Sequence, residues 1–139
     1  MSGEFVDTNV LIYAHDVTAG SKRGRASRLL ERLGGERCGL LSTQVLLEFY
    51  VAVTRKLPNR IDHHIAAAIL KDYGTWTVFR PDVQDVVAAV ALARRHRLHP
   101  WDGLIVRAAV ALEATTLWTE DLNDGQTIEG VTIRNPFTA

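Results

Sequence analysis

Cysteine occurs once in the 139 residues, at Cys38, which excludes an internal disulfide and leaves any histidine without the cysteine partners of a structural zinc site. Cys38, just before Gly39-Leu40-Leu41-Ser42, reads as a small buried apolar side chain. Low cysteine usage, and no basic-then-apolar leader pattern ahead of Phe5-Val6, give the expectation of a reducing cytoplasm. Long hydrophobic runs are missing too. The longest candidate, Val86 to Ala93, is far short of the roughly 18 residues a membrane span needs, so no membrane association is expected. Nor is there an excess of one charge: 16 Lys and Arg balance 16 Asp and Glu, which argues against strong general affinity for nucleic acid and leaves room for a local basic rim. What the chain does have is a hydrophobic content of 47%, too high for a disordered segment, and a length that suits one domain over residues 1–139.

Short apolar runs alternate with stretches of helical periodicity. Glu4-Phe5-Val6 reads as a strand ending in the turn and cap formers Asp7-Thr8-Asn9, followed by a helix through Val10-Leu11-Ile12-Tyr13. Ala26, Leu29, Leu30 and Leu33 recur at helical spacing, with Gly34-Gly35 as the expected stop. Cys38 to Leu41 is a second strand. Ser42 or Thr43 caps a helix through Val45, Leu46, Phe49, Tyr50 and Val53, and Asp62 caps another carrying Ile65, Ala66, Ile69, Leu70 and Tyr73. Trp76 to Phe79 is the third strand, stopped by Pro81. Helices from Val83 to Leu98 and from Pro100 to Leu112 follow, then strands at Thr115 to Thr119 and Val131 to Ile133. This order, with almost no hairpin signal, predicts a three-layer α/β/α domain around a mostly parallel sheet of four to five strands.

Four acidic residues stand where such a fold places ligand-binding groups: Asp7 after the first strand, Glu48 on a helix, Asp102 in Pro100-Trp101-Asp102-Gly103, and Asp121 in Thr119-Glu120-Asp121-Leu122-Asn123-Asp124-Gly125. Open α/β sheets bind ligands beyond the carboxyl ends of their strands, where Asp7 and Asp121 lie. Carboxylates gathered in one cleft repel unless a cation lies between them, and hard cations such as Mg²⁺ or Mn²⁺ take oxygen ligands. Taken singly, each acid also has a structural reading. Asp7 is a natural helix N-cap, Asp102 suits the positive end of a helix, Glu48 is an ordinary exposed helical position, and Asp121 and Asp124 are turn formers. The five histidines show no His-Glu-x-x-His pattern, and the adjacent His63 and His64 are expected on different helix faces.

Phe5-Val6-Asp7-Thr8-Asn9-Val10-Leu11, Glu48 after Ser42-Thr43, Trp101-Asp102-Gly103-Leu104-Ile105 and Thr119 to Gly125 together resemble the PIN-domain ribonucleases, in particular the VapC toxins of type II toxin–antitoxin systems. The likeness runs from about Phe5 to the last strand; each motif alone is weak and the ordered set is specific. It implies a site of Asp7, Glu48, Asp102 and Asp121 for Mg²⁺ or Mn²⁺, supported by Thr8, Asn9 and Thr119, with Asp124 as an additional acid and Glu120 turned away. It further implies hydrolysis of RNA phosphodiester bonds by metal-activated water, leaving a 5′ phosphate and a 3′ hydroxyl. A cognate VapB-type antitoxin and a homodimer are the implied partners.

A groove of Leu11, Ile12, Leu46, Phe49, Tyr50, Ile65 and Ile69 is the candidate antitoxin surface, although the same residues are equally core candidates. Lys22, Arg23, Arg25, Arg28, Arg94, Arg95 and Arg97 supply either phosphate contacts or plain solvated faces. Rival readings are a PIN nuclease of RNA processing and a noncatalytic metal- or RNA-binding scaffold. A haloacid-dehalogenase-like phosphatase fits less well, because Asn9 stands where its second aspartate belongs and no lysine follows Lys71. A receiver-type domain lacks its paired early acids and its late lysine.

Overall fold

The computed structural model describes residues 2–138. Its sheet has six strands in the order β3-β2-β1-β4-β6-β5, with β1 at Glu4–Val6, β2 at Gly39–Ser42, β3 at Thr77–Phe79, β4 at Thr116–Trp118, β5 at Thr127–Ile128 and β6 at Val131–Arg134. All neighbouring pairs are parallel except β5 with β6. The helices are α1 (Thr8–Ala14), α2 (Ser21–Gly35), α3 (Thr43–Arg55), α4 (His63–Tyr73), α5 (Val83–His96) and α6 (Pro100–Ala111). Helix α1 packs on α2 and α3, α3 on α4, and α5 on α6. Parallel strands force crossovers, and those from β1 to β2, β2 to β3 and β3 to β4 carry the helices.

The central strands are short apolar runs because both faces are covered. Phe5, Val6, Leu41, Leu117 and Ile133 are fully or almost fully buried, with Leu11, Leu33, Val45, Phe49 and Val53 of the helices packed around them. Connections from β1 lead outward to β2 and β3, whereas β4 returns to the other side of β1. The strand order therefore reverses between β1 and β4, and the crevice at their carboxyl ends is the place where such sheets take a ligand.

Helix starts follow their expected caps. Asp7 accepts from Thr8 N at 2.7 Å, Ser42 from Val45 N at 3.3 Å and Asp62 from His64 N at 2.9 Å, while Pro100 occupies the first turn of α6. Three expectations need correction. Helix α2 continues through Gly34 and Gly35, and the left-handed turn falls on Arg37 (φ 55°). The sheet has one strand more than four to five, because Thr127–Ile128 pairs with Val131 and Thr132 in a hairpin. Its two-residue loop, Glu129-Gly130, has φ of 45° and 87°, the geometry of a type I′ turn. Glutamate at the first position hides that turn from a reading that seeks Asn-Gly or Asp-Gly. Finally, the His63 and His64 rings lie 5.2 Å apart, and His63 pairs with the Tyr50 hydroxyl, so the two imidazoles share one surface.

Gly103 fixes how α5 and α6 meet. A Cβ there would lie 2.5 Å from the Ala89 carbonyl oxygen and 2.8 Å from Ala93 Cβ, so only glycine permits this backbone approach. Asp85 and Arg107 bridge the same pair of helices at 3.0 Å.

Candidate active site

Asp7 sits at the carboxyl end of β1 and is 5% exposed. Its Oδ1 accepts from Thr8 N at 2.7 Å, and its Oδ2 accepts from the Thr119 hydroxyl at 2.8 Å and from Asn9 Nδ2 at 3.4 Å. Thr119, fully buried, uses its hydroxyl completely. It donates to Asp7 and accepts from Asn9 Nδ2 and Asp121 N, both at 3.1 Å. Asn9 also donates to Asp121 Oδ2 at 3.1 Å, while its own Oδ1 accepts from Glu120 N at 3.4 Å. Two polar side chains thus tie the end of β1 to the loop after β4, and every partner of Asn9 fixes the sense of its amide.

Glu48 reaches the crevice from α3. It accepts from the Thr8 hydroxyl at 2.6 Å and from Gln44 Nε2 at 3.2 Å. Asp102 arrives from the first turn of α6, whose start is capped by His99. Asp7, Glu48, Asp102 and Asp121 share one electrostatic field. Burial pushes the Asp7 carboxyl up to about 7, against hydrogen bonds from Thr119 and Thr8 that lower it, and the charges of Asp121 and Glu48 raise it further. Burial likewise raises Asp102, with Asp121 and Glu48 adding to the effect and His99 opposing it. Desolvation and like charge both disfavour the ionised carboxylate.

A stability prediction follows from Asp7. Its folded pKa lies above the ordinary value of 3.8, so its contribution favours the fold below about pH 4 and is lost as pH rises through about 7. Urea denaturation of the metal-free protein should show this decline, and Asp7→Asn should flatten it. A wild-type profile unchanged by Asp7→Asn would refute the assignment.

Among the described residues, no three His, Cys, Asp or Glu side chains converge closely enough to hold a metal ion as they stand; Glu48 is tied to Thr8 and Gln44, and Asp121 to Asn9. The donor set nevertheless suits a hard divalent cation, being all carboxylate and partly buried. One buried acceptor beside Glu48, Gln44 Oε1, has no hydrogen-bond partner.

Asp124 accepts from Asn135 N at 2.9 Å, holding the loop against the C-terminal segment. Glu120 points away as expected, pairing with Lys22 Nζ at 2.9 Å and with the Tyr13 hydroxyl. Lys22 also lies over the rings of Tyr13 and Phe137, at 4.8 and 5.5 Å. This clamp anchors the loop between Thr119 and Asp121 from its outer side. Sequence reading had no role for Gln44. Its signal is the i, i+4 spacing to Glu48, which puts both on one helix face.

Beside the acids runs an apolar groove of about 810 Å³ lined by Ile12, Leu47, Val51, Leu104 and Trp101, with Glu48 and Asp121 at its polar end. Its composition differs from the expected one. Leu11 and Phe49 are fully buried in the core, and Leu46, Tyr50 and Ile69 pack against that core. Helical phase explains the difference: Leu47 and Val51, one turn apart, form the outward ridge of α3.

An acidic crevice at the reversal point of a parallel α/β sheet defines the class of domain. The PIN domain model matches residues 5–123, and the chain belongs to the PIN-domain family. Several solved structures share the fold. A toxin–antitoxin complex from Klebsiella pneumoniae aligns with a TM-score of 0.70 and 22% identity over 99% of this chain and 100% of that one. VapBC2 from Rickettsia felis, bound to a DNA fragment from its promoter, gives 0.66 and 20% over 95% and 97%. The Mycobacterium tuberculosis toxin VapC20, which cleaves the sarcin-ricin loop, gives 0.65 and 16% over 83% and 87%. No curated protein matches the sequence.

Proposed function

We propose that this PIN domain is a divalent-metal-dependent endoribonuclease and the toxin of a VapBC-type pair. The observation that carries the reading is the set of four carboxylates at the β1/β4 crevice, with Asp7 buried and its carboxyl raised to about 7 chiefly by that burial. Full-length alignment with toxin–antitoxin structures supports the same reading. When bound, Mg²⁺ or Mn²⁺ supplies charge neutralisation and water activation for in-line attack on phosphorus. Asp7, Glu48, Asp102 and Asp121 would hold it, some through water.

The chain's own work is positioning. Thr8 aims Glu48, Thr119 aims Asp7, and Asn9 spans Asp7 and Asp121. These bonds orient the acids around one crevice before substrate arrives, and the carboxylates would still draw together to share a cation, since no three of them among the described residues converge as they stand. The apolar groove suits an antitoxin segment whose apolar residues pack along Leu47, Val51 and Trp101. On α5, Val83, Val86, Val87 and Val90 are all exposed. Such a face on a small domain marks an interface, here assigned to a second copy of the chain. No helix of the described residues is long and apolar enough to cross a membrane.

The test is cleavage of a structured RNA by purified protein with Mg²⁺, with Mn²⁺ and with EDTA. Metal-dependent internal cuts bearing 5′ phosphates are expected. A preparation that binds RNA and never cleaves it with either ion would favour the noncatalytic scaffold.

A further inference from the structure

Gln44 stands in the first turn of α3, one turn before Glu48. Its Nε2 donates to Glu48 Oε2 and to the Trp101 carbonyl oxygen, both at 3.2 Å. Both partners are acceptors, so the amide cannot be reversed without setting oxygen against oxygen. Its Oε1 is then buried with no partner. A buried acceptor left unpaired costs free energy, and native structures retain such groups where a functional requirement holds them.

The two contacts join different parts of the fold. Glu48 belongs to α3, whereas Trp101 lies in the first turn of α6 beside Asp102. No covalent neighbour ties these helices, since α4, β3 and α5 intervene. We propose that Gln44 is a positioning residue that sets the α3 acid, Glu48, in register with the α6 acid, Asp102. The inference rests on the metal-site reading above and adds a residue to it. Thr8 restrains one oxygen of Glu48 and Gln44 the other, so loss of Gln44 frees the carboxylate to rotate. Groups that orient metal ligands from behind are worth about 10- to 100-fold in metal affinity or activity.

The experiment is Mn²⁺ binding alone, by calorimetry and by electron paramagnetic resonance, on wild type and Gln44→Met, which keeps length while removing both polar ends. Mn²⁺ should bind about 10- to 100-fold more weakly, with melting nearly unchanged. In cleavage assays the Mn²⁺ concentration for half-maximal rate should rise while KM for RNA holds. The same substitution in a Glu48→Ala background should change Mn²⁺ affinity by less than about threefold, because coupled groups are non-additive. Equal losses in both backgrounds, or unchanged affinity of Gln44→Met, would overturn the proposal. If Gln44→Met does not fold, Gln44→Leu replaces it, and collapse of both would mark Gln44 as a packing residue and overturn it equally. A wild type that binds no Mn²⁺ sinks the metal site as a whole. A wild type that binds, alongside a Gln44→Met that binds as well, sinks only the role of Gln44.

Discussion

Asp7→Asn is expected to abolish RNA hydrolysis and, at the same time, to raise the melting temperature of the metal-free protein. The activity loss follows from removing the charge at the centre of the donor set. Metal-borne stabilisation amounts to several kcal/mol, and each ~1.4 kcal/mol is tenfold in rate, so a fall on the order of 10³-fold is expected. The stability gain comes from the same charge. Asp7 is buried and its carboxyl is raised from 3.8 to about 7, so ionised Asp7 opposes folding at neutral pH. At ~1.4 kcal/mol per unit the relief is at most about 4 kcal/mol. Against it stands the loss of acceptor geometry toward Asn9 and Thr119, about 1 kcal/mol for each bond. A net gain of roughly 1–3 kcal/mol remains, or ~3–8 °C for a domain of this size. Calorimetry at pH 7.5 with EDTA, beside a cleavage assay, measures both. A variant that melts normally and cleaves at the wild-type rate would remove Asp7 from the mechanism.

Gly103→Val is expected to cost stability and activity together. The Cβ contact is with backbone, the Ala89 carbonyl oxygen at 2.5 Å, so no rotamer relieves it and α6 must shift away from α5. Overpacking at such a contact costs roughly 1–3 kcal/mol, only slightly offset by replacing glycine within a helix. Asp102 is the preceding residue on the displaced turn, so cleavage should fall even at temperatures where the variant is fully folded. Urea midpoints and activity at 15 °C separate the two effects. A stable, fully active Gly103→Val protein would show that the α5–α6 contact is more yielding than its geometry implies.

These residues also show how far the sequence could be read. Strands and helices were legible because burial on both faces produces continuous apolar runs such as Phe5-Val6 and Leu40-Leu41, and because the caps are local chemistry. Asp7, Asp102 and Asp121 stood out because each lies near an element boundary, and Thr8, Asn9 and Thr119 because they adjoin those boundaries, whereas Glu48, in the middle of α3, stood out only through the ordered set of motifs. Gln44 was not, since its significance depends on the Trp101 carbonyl, distant in the chain. The Glu129-Gly130 turn was hidden because glutamate rarely adopts the left-handed backbone that Glu129 takes here, between the paired strands β5 and β6. The groove was misdrawn because apolar residues on α3 face both inward and outward: Phe49 is buried while Leu47 is 65% exposed.

Crystals of the wild-type protein grown in Mn²⁺, with data collected at the manganese absorption edge, test the shared site most directly. An anomalous peak bounded by the carboxylates of Asp7, Asp102 and Asp121, with Glu48 bound directly or through water, is the expected result, and Asp7→Asn crystals should lose it. A fully formed crystal at millimolar Mn²⁺ with no peak in the β1/β4 crevice, or with a peak held by other residues, would contradict it.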